Sequence, residues 1–77
     1  MNIKQIKKLS KIMEIISSKI SLSDIEIDIE TIEDILYILT EEYIATDIQN
    51  CLLDYDFNIA DDYMNGEERT IKLSLKL

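Results

Sequence analysis

Residues 24–43 read DIEIDIETIEDILYILTEEY. Ile25, Ile27 and Ile29 alternate with Asp24, Glu26, Asp28 and Glu30, and a period of two marks a half-buried strand. After Thr31 the rhythm changes. Ile32, Ile35, Leu36, Leu39 and Tyr43 recur at helical spacing, Thr31 has an N-cap side chain, and Glu33 and Asp34 fall in a first turn. Negative charge suits that end of the helix macrodipole. The stretch therefore predicts a strand that runs into a capped helix. It also leaves a row of carboxylates on the outer side of the strand.

Upstream, Asn2 and Gln5 have the spacing of a capping box, and a helix is expected from Ile3 to about Ile20. Ile6, Leu9, Ile12, Met13, Ile16 and Ile20 form its apolar stripe, with Lys4, Lys7, Lys8 and Lys11 on the opposite face. Lysine near a helix N-terminus opposes the macrodipole, so these lysines are expected to meet acids of the protein itself, within the fold or across a subunit contact.

Downstream, Thr46 and Gln49 suggest a second cap and a helix over 47–64. Ile48, Cys51, Leu52, Tyr55, Ile59 and Tyr63 form one stripe; Leu53, Phe57, Ala60 and Met64 form another. In a competing reading, residues 55–59 are a strand and Asn65-Gly66 a hairpin turn. The two long stripes favour the helix. Ile71, Leu73, Leu75 and Leu77 alternate with Lys72, Ser74 and Lys76, a strand whose lysines would face the carboxylates of residues 24–30 across a shared ladder. The expected fold is one α+β domain over residues 1–77. Its order is α-β-α-α-β, with a small antiparallel sheet of two or three strands and helices on its apolar face. A winged-helix layout begins in the same order, but its reading helix would carry aspartates and no basic residue, which phosphate repels.

Composition narrows the function. The chain has no histidine and one glycine, so neither imidazole chemistry nor a glycine-rich phosphate loop is available. Cys51 lies on an apolar stripe, without a basic neighbour in sequence to activate it. Asp54, Asp56 and Asn58 match the start of a calcium loop. Ile59 then stands where glycine makes the turn, and Asn65 where a bidentate glutamate is needed. We expect no enzyme, no cofactor and no metal. A core of this size buries only about 60% of the surface of its unfolded chain, which leaves little room for an enclosed pocket.

The net charge is −8, and its distribution is bipolar: residues 1–19 sum to +4 and residues 20–77 to −12. That balance argues against direct binding of nucleic acid or of a membrane surface, both polyanionic. The lone cysteine and the absence of a long apolar run point to a cytoplasmic protein. The expected function is therefore a small acidic binding protein that inhibits or modulates a basic, nucleic-acid-handling protein. Phage and mobile-element inhibitors of restriction or CRISPR systems are of this type, and some mimic nucleic acid. The alternatives are a small subunit of a larger complex, or an immunity or antitoxin protein. Asp47, Asp54 and Asp61, spaced by seven on one helix face, and Glu26 and Asp28 on the strand are the expected contacts to the partner. Leu53, Phe57 and Met64 are the expected interface of a homodimer or hetero-complex.

Overall fold

The computed structural model describes all 77 residues. Helix α1 (Ile3–Lys19) leads through a single 3-10 turn, Leu22–Asp24, into strand β1 (Glu26–Glu30). Strand β2 (Ile35–Glu41), helix α2 (Glu42–Cys51), strand β3 (Asn58–Asn65) and strand β4 (Glu68–Lys76) follow. The strands form one antiparallel sheet in the order β1-β2-β4-β3. The class is α+β, but the expected order α-β-α-α-β and its sheet of two or three strands are incorrect. The order is α-β-β-α-β-β and the sheet has four strands.

Helix α1 forms as its caps dictate. The Asn2 side chain accepts from the Gln5 amide at 2.9 Å, and the Asn2 amide donates to Gln5 Oε1 at 2.8 Å. Ile12 and Ile16 are fully buried, and the stripe frays toward Ile3 and Ile6, which are exposed.

The first correction falls on residues 35–43. They were expected to continue a helix, yet Ile35–Glu41 is a central strand hydrogen-bonded on both sides. Ile35, Tyr37, Ile38 and Thr40 are of the β-branched and aromatic kind that a strand favours. Ile32, the supposed start of the helical stripe, is 91% exposed. Thr31 to Asp34 form the loop between β1 and β2 rather than a cap. The Glu30 carboxylate accepts from the amides of Ile32 and Glu33, both at 2.8 Å, and Asp34 takes a left-handed φ of 57°. Asp is one of the few residues besides glycine that adopt this conformation readily.

The second correction falls on residues 47–64. Helix α2 starts directly after β2 and ends at Cys51, with Ile44, Ala45 and Ile48 facing the core. Thr46 does not cap it, because its hydroxyl bonds back to the Glu42 carbonyl at 3.1 Å from within the helix. Residues 58–65 are an edge strand exposed along its whole length. What holds it is the ladder to β4 rather than burial, and helical periodicity carries no information about a partner strand. The hairpin closes through Gly66-Glu67. Gly66 has φ 68° and Glu67 a negative φ, the pattern of a type II′ turn.

The third correction concerns pairing. The last strand was expected beside β1, but β2 lies between them. Leu36 and Ile38 of β2 and Ile71, Leu73 and Leu75 of β4 point to one face. There they meet Ile12 and Ile16 of α1 and Ile44, Ala45 and Ile48 of α2 in a single core. Buried Thr40 satisfies its hydroxyl on the Asp24 carbonyl at 2.9 Å. Both helices thus cover one face, and the other face of the sheet carries no helix.

Candidate functional site: the open face of the sheet

The side chains of the open face follow from the register. One row across all four strands is Glu26, Leu39, Lys72 and Asp61; the next is Asp28, Tyr37, Ser74 and Asn58. Tyr37, Leu39 and Lys72 are half-buried in the middle, whereas Glu26 and Asp28 on one edge strand and Asp61 on the other are exposed. With Tyr63 they line a shallow basin of about 550 Å³.

A β-bulge decides which aspartate belongs to this face. The register of β3 shifts between Ile59 and Asp61, with Ala60 as the extra residue. In a regular strand Asp61 would share the face of Ile59. The bulge instead brings Asp61 beside Lys72 and turns Asp62 to the helix side, a re-aiming that bulges produce.

The charges of the basin are unevenly satisfied. The Lys72 ammonium sits 4.5 Å from the centre of the Tyr37 ring, a cation–π contact. No ammonium or guanidinium lies within 4.0 Å of Glu26, Asp28 or Asp61. Asp61 Oδ1 accepts from the Asp62 amide at 2.8 Å. The surface is therefore apolar and aromatic in the centre, acidic on both flanks, and holds one internal cation.

The expected contact residues divide between surfaces. Glu26, Asp28 and Asp61 come together in the basin. Asp47 lies instead with Glu42, Glu67, Glu68 and Arg69 at the end of the molecule formed by the start of α2 and the β3–β4 turn. Asp54 lies near Lys8 and Lys76. The row Asp47–Asp54–Asp61 does not exist, because the helix that would align it ends at Cys51. Leu53, Phe57 and Met64 likewise share no helical stripe. Leu53 and Met64 are exposed, and Phe57 packs against the core. Within the fold the lysines of α1 find no carboxylate within 4.0 Å, so the expected internal pairing is absent, and Lys8 donates to the Lys76 carbonyl at 3.0 Å. Lys72 and Lys76 do not face Glu26 and Asp28, since β2 separates β1 from β4.

Tyr37, Leu39, Tyr63 and Lys72 were not singled out as site residues in the sequence. Helical spacing places Tyr37 and Leu39 on a helix, and their place on an open sheet face follows only from strand pairing. At the acidic end, Arg69 binds Asp62 and lies 3.1 Å from Glu42, and hydrogen bonding to Arg69 holds the Asp62 carboxyl below its usual range. The Glu41 carboxylate, followed by burial and Asp24, pushes the Tyr43 hydroxyl above its usual value.

No family model, curated protein or solved structure matches this chain. No helix is long and apolar enough to cross a membrane.

Proposed function

We propose that this protein is a small binding module that docks a basic protein through the open face of its sheet, and that it modulates or inhibits a nucleic-acid-handling partner. The observation that carries the reading is the basin itself. Glu26, Asp28 and Asp61, without cationic partners, flank Tyr37, Leu39 and Tyr63 on a sheet face that no helix covers. Aromatic residues are enriched in the buried centres of protein interfaces. The net charge of −8 adds long-range attraction to a basic surface, and such surfaces are the electrostatic footprint of nucleic-acid-binding proteins.

Charge density favours a protein-docking face over a replica of nucleic acid. The basin spans three strand spacings, about 14 Å. A duplex of that length presents roughly eight phosphate charges, against three carboxylates and one lysine here. The modulator role therefore rests on occupying a basic surface, and does not need the phosphate spacing to be copied.

The test is capture of partners by tagged protein, wild type against a Glu26→Gln, Asp28→Asn, Asp61→Asn triple variant, followed by competition with DNA or RNA. A basic partner that is lost with the triple variant and displaced by nucleic acid supports the reading. Capture of the same partners by the folded triple variant at equal salt overturns it.

A further inference from the structure

The sheet face has one internal occupant that bears on what an external one would be. Lys72 lies on a central strand with Asp61 directly opposite on β3, yet its ammonium is placed over the Tyr37 ring, which sits diagonally across on β2. It forms no ion pair within 4.0 Å. The aromatic centre of the basin thus already receives a cation, while the carboxylates on both flanks remain available to another.

We propose that the open face seats an arginine-bearing segment of a basic protein, and that Lys72 holds, in the free molecule, the cation position over Tyr37 that the incoming arginine takes. This deepens the docking reading above and rests on it. Charge complementarity selects the occupant: Glu26, Asp28 and Asp61 outnumber the one lysine of the basin. Arginine fits better than lysine, because a planar, weakly hydrated guanidinium stacks on a tyrosine face while its fork of N–H groups reaches a flanking carboxylate. Lysine, as a compact ammonium, satisfies one of the two at a time. Displaced from the ring, Lys72 has Asp61 as its neighbour across the ladder, so the exchange leaves neither cation stranded.

The experiment titrates the intact chain with oligo-arginine and oligo-lysine peptides of equal length at fixed salt. Affinity is read by calorimetry and the binding site from amide and tyrosine-ring NMR shifts. Lys72→Met is compared with Lys76→Met, which removes the same charge from the same face of β4 at the other diagonal neighbour of Tyr37, one that neither sits over the ring nor lines the basin. The expected result is that oligo-arginine binds more tightly than oligo-lysine and shifts the Tyr37 ring. Lys72→Met should then tighten it by about two- to fivefold, the scale of an exposed cation–π contact, and Lys76→Met by less. Tyr37→Phe should keep the binding and Tyr37→Leu weaken it, in proteins shown to be folded. Equal tightening by the two methionine variants, or shifts confined to the acidic end around Asp47, would overturn the inference while leaving a cation-binding protein. Absence of binding by either peptide would overturn the docking reading with it. Salt-sensitive self-association abolished by replacing Lys4, Lys7 and Lys11 would assign the face to a second copy, and would equally overturn the arginine proposal.

Discussion

Arg69 grips Asp62 with two parallel N–H bonds, one from Nε to Oδ1 at 2.7 Å, while a terminal nitrogen also reaches Glu42 at the start of α2. A single side chain thus ties the β3–β4 hairpin to the helix layer, at a point where β3 has no buried residue to anchor it. The pair is exposed, so its contribution to stability is small and screened by salt. Its signature is in the acid limb. The folded Asp62 carboxyl titrates below its usual value of about 3.9. The stabilisation is then fully present above that value and is lost as pH falls through the depressed one. Urea unfolding between neutral pH and pH 2–3 should show a shallower acid loss in Asp62→Asn than in wild type.

The centre of the fold should be far less tolerant. Ile38 and Leu73 face each other across β2 and β4 and are fully buried. Replacement of either by alanine should cost about 2–5 kcal/mol, a large share of the total stability of a small domain. Ile32→Ala, at a site 91% exposed, should leave the urea midpoint nearly unchanged. Equal effects at Ile32 and Ile38 would contradict the strand assignment of residues 35–41.

At Gly66 the cost of a side chain is conformational rather than steric. A Cβ there would meet nothing within 4 Å, but φ is 68°. Gly66→Ala should lower stability by about 1 kcal/mol, and Gly66→Asn by less, since asparagine tolerates this region better. Chemical denaturation of the three proteins measures the order.

Phe57 distinguishes a core residue from an interface residue. It packs against the core, whereas Leu53 and Met64 are exposed. Phe57→Asp should destabilise the monomer by about 2 kcal/mol or more, and Leu53→Asp and Met64→Asp should leave its melting temperature nearly unchanged. A Phe57→Asp protein that melts like wild type would return this residue to the interface.

The carboxylates divide in the same way. Association with a basic partner should slow in the triple variant of Glu26, Asp28 and Asp61, and should fall steeply with salt in the wild type. An Asp47→Asn, Asp54→Asn protein should bind at close to the wild-type rate, because those residues lie on other surfaces. Stopped-flow kinetics at two ionic strengths tests both statements.

Local signals determined part of this structure. The Asn2–Gln5 box starts α1 where the sequence places it, and the alternations over residues 24–30 and 71–77 coincide with strands, Glu26–Glu30 and the latter part of Glu68–Lys76. Each of these depends on neighbours within a few residues, so a chain read in one dimension reveals it. The apolar run Ile35–Leu39 is different. It fits either a helix stripe or a strand buried between two others, and only the ladders to β1 and β4 decide between them. The site depends still more on tertiary structure. Glu26 and Asp28 were visible as a row, but their meeting with Asp61 requires an edge strand held by pairing alone and a bulge at Ala60. Tyr37 and Lys72 join them only because β2 and β4 are neighbours. Which face a strand residue takes depends on register, and register belongs to pairs of strands, not to either strand's own sequence.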